Sequence, residues 1–198
     1  MDPTMDQWRE ISKICKEQNL LPFFDCAYQG FASGNHDTDA EALRMFVEDG
    51  HLIALVQSFS KNFGLYGHRV GALSVVGANP EEAAKVVSQL KMVIRPMYSN
   101  PPRHGARIVS TILNDQMLKE DWETQCAGMA ARIKTMRTVL RERLRSMGST
   151  RCWDHIIRQI GMFAYSGLSQ EQVMEMRTKH HVYCTLDGRI SMAVSAKT

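Results

Sequence analysis

The sequence has no long apolar run, no block of like charge and no signal peptide, and each absence excludes a class of protein. No apolar stretch approaches the roughly 18 residues of a membrane-spanning helix. The 24 basic and 21 acidic residues are interspersed, which indicates neither a nucleic-acid-binding arm nor a polybasic membrane anchor. The start Met1-Asp2-Pro3-Thr4 lacks the basic and apolar regions of a signal peptide. We therefore expect a soluble, untargeted chain with no nucleic-acid or membrane partner.

Paired cysteines are also missing, which bears on disulfides and metals. The cysteines are scattered, odd in number and without a C-x-x-C pair: Cys15, Cys26, Cys126, Cys152 and Cys184. This pattern argues against a disulfide framework or a structural zinc, and it favours a reducing compartment. His180 and His181 near Cys184 do not predict a metal site either, because neighbours in an extended segment point to opposite faces.

What the sequence does have is a globular composition and an alternating pattern of elements. With 198 residues and 44% hydrophobic residues, the chain can bury a core. Apolar periodicity predicts helices at 4–18 and 38–49, strands at 20–24, 52–56 and 70–76, and a helix from Pro80. Such alternation is typical of α/β proteins with a parallel-rich sheet, whose sites lie at the carboxyl ends of the strands.

The second half of the pattern predicts a connection and then a smaller unit. Pro96 and the pair at 101–102 predict a loop, followed by a short helix at 105–113. Apolar spacing from Trp122 predicts a long helix that ends near Gly148. Beyond it come an apolar stretch at 160–165, a predicted helix at 169–179 and two predicted strands at 182–185 and 189–194. The predicted domains are residues 1–125, part of a large unit, and residues 126–198, a small α/β unit.

Lys61 is the first candidate for chemistry because its segment directly follows a predicted buried strand. The segment Ser58-Phe59-Ser60-Lys61-Asn62-Phe63-Gly64 would present the lysine at the carboxyl end of that strand. A lysine forms an imine with an aldehyde only as the free amine. Taken alone, however, Lys61 reads as an ordinary solvated lysine, and Ser58 with Lys61 also fits an acyl enzyme.

Asp25 and Tyr28 follow the preceding predicted strand and face the same sheet edge. A carboxylate there could keep the ring nitrogen of a pyridoxal cofactor protonated, so that the ring accepts electrons. For an isolated aspartate after a strand, a turn or cap role is the more common one.

Several segments in one order resemble the signature motifs of the aspartate aminotransferases, which belong to the class I pyridoxal-phosphate enzymes of fold type I. These segments are residues 25–31, residues 58–71, Ile94-Arg95-Pro96-Met97-Tyr98-Ser99-Asn100-Pro101-Pro102, Gln159-Ile160-Gly161-Met162-Phe163 and Asp187-Gly188-Arg189-Ile190-Ser191. The resemblance covers essentially the whole chain. It implies a truncated fold type I enzyme: part of a mixed, mostly parallel sheet with flanking helices, a long connecting helix and a small α/β domain.

The resemblance also implies roles for individual residues. Lys61 would hold pyridoxal 5'-phosphate as a Schiff base and then serve as the general base. Asp25 would pair with the pyridine nitrogen, and Tyr28 would donate to the phenolic oxygen of the ring. Ser58 and Arg69 would bind the phosphate. For Arg69 alone, a surface ion pair is the ordinary reading.

The implied substrates are L-aspartate, L-glutamate and the 2-oxo acids 2-oxoglutarate and oxaloacetate. Arg189 would bind the α-carboxylate, and Arg95 would bind the side-chain carboxylate across the interface of a homodimer. For each arginine alone, a solvated charge is the ordinary reading. Residues 95–98 resemble the mitochondrial form, so a mitochondrial location is expected, with a cytoplasmic one as the alternative.

The chain departs from the family pattern in three places. The family's cofactor-binding asparagine would precede Met1, its closing helix would follow the last residue, and His68 replaces the usual glutamate. These departures keep a second hypothesis open, that of a non-catalytic truncated fragment that at most dimerises or binds a partner.

Overall fold

The computed structural model describes residues 3–193, in which helices and short strands alternate. In chain order, the helices are α1 (Met5–Glu17), α2 (His36–Asp39), α3 (Glu41–Glu48), α4 (Pro80–Met97), α5 (Arg103–Asn114), α6 (Gln116–Ser146), α7 (Asp154–Arg158) and α8 (Gln170–His180). The strands are β1 (Phe23–Cys26), β2 (Ala54–Ser58), β3 (Gly71–Val75), β4 (Phe163–Tyr165) and β5 (Arg189–Ser191), and a short 3-10 helix covers Tyr66–His68. None of the helices described at 3–193 is long and apolar enough to cross a membrane.

The first sheet has the strand order β1-β2-β3 and is mixed. β1 pairs with β2 in parallel, with Asp25 opposite Val56, because α2 and α3 carry the chain back between them. β2 pairs with β3 in an antiparallel ladder that sets Ser58 opposite Gly71, since the short link at 59–70 reverses the chain without a crossover. The expected mixed sheet with flanking helices is confirmed.

One face of this sheet is covered by α1 and α3. Thr4 and Gln7 form the predicted capping box that begins α1. The rings of Trp8, Phe24 and Phe46 pack at centroid distances of 5.0–6.1 Å, and Phe46 is buried. These contacts hold β1 against the helices, and with it the segment that contains Asp25.

α4 runs further than the sequence predicts. Asn79 caps its start, Pro80 occupies the first turn, and the helix continues through Pro96 to Met97. The expected break at Pro96 is wrong because the proline lies in the last turn, where the loss of one amide hydrogen bond costs little. Arg95 consequently lies on the last turn of α4 rather than in a loop.

The long helix α6 joins the two groups of elements. It has 31 residues and begins with an Asp115 cap, several residues before the predicted start. Its first half contacts the loop after β2 through Trp122 and Cys126. Its second half packs on a core of Phe31, Ile133, Ile156, Ala164 and Met192. The predicted domain boundary at 125/126 falls inside this helix.

The second sheet pairs β4 with β5 in an antiparallel ladder. The strand predicted at 182–185 is wrong: this segment follows the left-handed His181 that ends α8 and enters a turn in which Thr185 bonds to Arg189. Val182 and Tyr183 are exposed, so the apolar pattern there does not mark a buried strand. Of the strand expected at 189–194, the structure gives Arg189–Ser191, and residue 194 lies outside the described residues.

Candidate active site

The carboxyl ends of β1 and β2 lie at one sheet edge, and the predicted cofactor residues follow them. Asp25 lies near the end of β1, and Ser58 ends β2. Because the two strands are parallel and in register, these side chains come to the same edge. Asp25 is exposed, so its carboxylate is free to meet a ligand from solvent.

Lys61 meets Tyr28 at this edge. Its Nζ lies 4.9 Å from the centroid of the Tyr28 ring, and the lysine is half-buried. Contact with an aromatic face attracts the ammonium form and limits the directions that the flexible lysine can take. The structure therefore brings together two residues that the sequence places 33 positions apart.

A series of ring contacts continues from Tyr28 to the second unit. The Tyr28 and Phe163 rings meet edge to face at 6.3 Å, and the guanidinium of Arg189 lies 4.8 Å from the centre of the Phe163 ring. Arg189 and Phe163 line a cleft of about 640 Å³ together with His155 and Arg151. The rings of Tyr28 and Phe163 thus connect Lys61, the predicted cofactor lysine, to Arg189, which is predicted to bind the α-carboxylate of the substrate.

Ser58 and Arg69 flank the Lys61 loop in sequence, Ser58 at the end of β2 and Arg69 shortly before β3. The Ser58 hydroxyl accepts a hydrogen bond from the Ser60 amide at 3.2 Å, and the exposed Arg69 donates to the Tyr66 carbonyl at 3.1 Å. Arg69 has a left-handed backbone, φ 50°, and stands two residues before Gly71, which pairs with Ser58. A hydroxyl and a guanidinium close to one strand end form a set of donors suited to phosphate.

The alternative acyl-enzyme pair is not assembled. Within residues 3–193, the Ser58 hydroxyl has no hydrogen bond to the Lys61 amine, the contact that such a pair needs.

Arg95 lies apart from the other candidates. It is exposed on the last turn of α4 and donates to the Ser99 hydroxyl at 3.3 Å. In the part of the chain described, it makes no contact with Lys61, Tyr28 or Arg189. Of the two predicted substrate arginines, only Arg189 joins the ring contacts that lead to Lys61.

Asn62, Gln57 and Asp39 hold the loops beside Lys61, and the sequence pattern does not single them out. Asn62, which is buried, donates to the Gln29 carbonyl at 3.3 Å, and Gln57 donates to the Gln29 side chain at 3.0 Å. Asp39 accepts from the amides of three loop residues at 2.8–3.1 Å: Gly30, Ala32 and Ser33. The only signal for Asp39 is an acidic residue shortly after a Gly- and Ser-rich loop, which is a frequent capping pattern.

Two cysteines near the site are held in the thiol form. Burial, together with the charges of Asp39 and Asp25, raises the pKa of Cys26. Burial beside Glu123 raises the pKa of Cys126 to about 11, and its thiol donates to the Asn62 carbonyl at 3.4 Å. A raised pKa suppresses the thiolate, so neither cysteine is a competing nucleophile.

Arg137 fixes the position of Phe163 and was also missed. It is 3% exposed and donates to the carbonyls of Ile156, Gly161 and Phe163 at 2.6–2.8 Å. Because Phe163 contacts both Tyr28 and Arg189, this guanidinium supports the link between the two halves of the site. The sequence pattern does indicate that Arg137 is buried, since it follows Ile133 by four positions on the apolar stripe of α6.

Comparisons with known proteins show which family the chain resembles. The family model described as "Aminotransferase class I and II" matches residues 1–198. The mitochondrial aspartate aminotransferase of Dictyostelium discoideum is 55% identical over 193 residues, which are 98% of this chain and 45% of that protein. The cytoplasmic aspartate aminotransferase of Oryza sativa subsp. japonica is 54% identical over 193 residues, 98% of this chain and 47% of that protein.

Solved structures have the same fold. The structure of the aromatic-amino-acid aminotransferase from Burkholderia pseudomallei, covalently bound to pyridoxal phosphate, superposes with a TM-score of 0.95 at 43% identity, covering 98% of this chain and 48% of that one. The chain spans about half the length of the curated relatives it matches. The match of the family model over the whole length of the chain shows that the chain belongs to the class I and II aminotransferases.

Proposed function

We propose that this chain carries the lysine half of the active site of a transaminase that exchanges an amino group between L-aspartate or L-glutamate and a 2-oxo acid. The observation that carries the proposal is the Lys61–Tyr28 contact at the carboxyl ends of two parallel strands. The link through Phe163 to Arg189 adds a guanidinium that suits a substrate carboxylate.

The cofactor we propose is pyridoxal 5'-phosphate, and the donor set suits it. Lys61 offers an amine for the aldehyde, Asp25 a carboxylate for the ring nitrogen, and Tyr28 a hydroxyl for the ring oxygen. Ser58 and Arg69 offer a hydroxyl and a guanidinium for the phosphate. When bound, the cofactor supplies an electron-accepting ring that stabilises the carbanion left by proton removal from the amino acid.

The residues of this chain would divide the remaining work. Lys61, once released from the cofactor, would move the proton from the α-carbon of the substrate, because a free amine beside the reacting carbon can act as a general base. Asp25 would keep the ring nitrogen protonated through its negative charge. Arg189 would hold the α-carboxylate in bidentate fashion, with its stacking on Phe163 fixing the plane of the guanidinium.

Arg95 supports a homodimer with shared sites. Its guanidinium is exposed and lies apart from the Lys61 cluster, and we propose that it reaches the side-chain carboxylate of a substrate bound to a second copy. This arrangement would supply the second cation that a dicarboxylic substrate requires.

The compartment we propose is the mitochondrial matrix, on the resemblance carried by residues 95–98. Relatives from mitochondria and from the cytoplasm match the chain about equally well, which makes the cytoplasm the alternative. Microscopy of the natural protein with a carboxy-terminal fluorescent tag would decide between the two.

The function is tested by adding pyridoxal phosphate to the purified chain, fixing it with borohydride and mapping the labelled peptide. We expect one fixed label on Lys61, its loss in Lys61→Ala and its retention in Lys85→Ala, whose lysine is exposed and paired with Glu81 on α4. Label spread over surface lysines would contradict the proposal and favour a chain that only dimerises or binds a partner. Turnover of aspartate against phenylalanine then tests the substrate class.

A further inference from the structure

Trp122 on α6 lies between two other rings and under the Lys61 loop. Its ring stacks on His36 at a centroid distance of 4.1 Å and on Phe63 at 4.4 Å, with interplanar angles of 28° and 17°. Its indole Nε1 donates to the Asn62 carbonyl at 2.7 Å. One side chain therefore contacts the residue after Lys61 by hydrogen bond and the next residue by stacking.

Asn62 itself is held from two directions. Its side chain donates to the carbonyl of Gln29, the neighbour of Tyr28, and its own carbonyl accepts from both Trp122 and Cys126. A carbonyl with two donors and a buried side chain leaves little freedom to the backbone at this point. Lys61 directly precedes this restrained residue in the chain.

His36 ties the other side of the stack to the loop that follows Tyr28. A Cβ at Gly30 would lie 2.6 Å from the His36 Nε2, so the ring packs directly on the backbone of that loop. The His36 Nε2 is a buried atom and has no hydrogen-bond partner in the part of the chain described. The His36 ring packs on Gly30 and on Trp122, so its position depends on the Trp122 indole.

We propose that Trp122 is the positioning residue that sets Lys61 against Tyr28. Its stack reaches the loop after Tyr28 through His36 and the Lys61 loop through Phe63, and its hydrogen bond fixes the Asn62 carbonyl within the Lys61 loop. The lysine side chain is long and flexible, so its placement depends on the rigidity of its backbone, and a planar aromatic anchored on α6 supplies that rigidity. The inference rests on the proposed function only where it treats Lys61 as the cofactor lysine.

Three variants separate the contribution of the Trp122 ring stacking from that of its hydrogen bond to Asn62. Trp122→Phe keeps an aromatic ring and removes the donor to Asn62, whereas Trp122→Leu removes both. Trp153→Phe is the matched control, because that indole also donates a single hydrogen bond, to Ser149, and stacks on the Arg151 guanidinium rather than on the Lys61 loop.

The first readout needs no cofactor and is amide hydrogen exchange of the full chain. In Trp122→Leu, the peptide covering residues 59–65 should exchange at least about tenfold faster, while peptides from β1 and β2 keep their wild-type rates. Trp122→Phe should give an intermediate rate, and Trp153→Phe the wild-type one. Unchanged exchange at 59–65 in Trp122→Leu, or equal acceleration throughout the chain, would overturn the proposal.

The second readout is the pH profile of the absorption of lysine-bound pyridoxal phosphate. A changed placement of Lys61 against Tyr28 should shift the midpoint in Trp122→Leu by roughly half a pH unit or more, whereas a mere loss of stability would lower the amplitude and keep the midpoint. An unshifted midpoint in a well-folded variant counts against Trp122. If wild-type protein shows no label on Lys61, the proposed function fails, and the exchange data still decide whether Trp122 orders the loop.

Discussion

At the scale of single residues, Arg137 makes the most demanding arrangement, because one buried guanidinium serves several carbonyls around Phe163. Arg137→Lys should lower the free energy of unfolding by about 2–4 kcal/mol, since the single ammonium nitrogen of a lysine cannot replace the two guanidinium nitrogens that donate here, and buried carbonyls lose their partners. Chemical denaturation followed by circular dichroism measures this loss.

The control for Arg137→Lys is Arg145→Lys, an equal change on the exposed last turn of the same helix. We expect this control to stay within about 0.5 kcal/mol of wild type. Equal effects of the two changes would show that the carbonyl contacts of Arg137 contribute nothing particular to stability.

A second residue-scale prediction concerns pH. Burial lowers the pKa of His36 from its ordinary value of 6.5, so in the folded state the ring resists protonation. Below that value the unfolded chain binds the proton more readily than the folded one, and stability therefore falls as the pH drops through 6.5 towards the lowered pKa. Urea unfolding at mildly acidic and at neutral pH should show this loss in wild type and a smaller loss in His36→Phe. His180→Gln, a change at an exposed histidine, should match wild type.

At the scale of secondary-structure elements, the pairing of β2 with β3 depends on Gly71, because a residue with a side chain would not fit there. A Cβ at Gly71 would lie 2.5 Å from the Gln57 carbonyl oxygen, opposite the end of β2 where Ser58 stands. Gly71→Ala should destabilise the protein by about 1–3 kcal/mol and push β3 away from β2. Thermal unfolding measures the loss, and hydrogen exchange of residues 54–58 measures the separation.

Gly67→Ala is the matched change, because nothing lies within 4 Å of a Cβ at that position. We expect it to leave both measurements near wild type. If Gly71→Ala were as mild as Gly67→Ala, the close approach of the two strands would be absent in solution.

At the scale of the whole molecule, shared active sites predict complementation between two inactive variants. Lys61→Ala and Arg95→Ala should each lose transamination of aspartate. After the two variants are unfolded together and refolded as a mixture, about a quarter of wild-type activity should return, because half of the dimers are mixed and each has one intact site. No recovery in a mixture shown by native mass spectrometry to contain mixed dimers would refute the assignment of Arg95 to the partner's site.

The sequence predicts much of the fold, and the reasons are local. Apolar periodicity marks α1, α3 and α6, because each helix buries one stripe of its surface, and the capping box marks the start of α1. The antiparallel direction of β3 and the absence of a strand at 182–185 were not predictable in this way, since both depend on which strand is available as a pairing partner. The contacts of Asn62, Trp122 and Asp39 could not be predicted from the sequence, because their partners lie far away along the chain or in a loop without periodicity.

The sequence by itself determined the family, the order of the elements and the candidate residues for chemistry, because motifs and periodicity are properties of neighbouring positions. Only the tertiary structure decided which candidates meet. It brings Lys61 onto Tyr28 and connects them through Phe163 to Arg189, and it leaves Arg95 apart. The physical reason is that such contacts depend on strand register and on the packing of α6 across both units, and these form only when distant segments bury their apolar faces together.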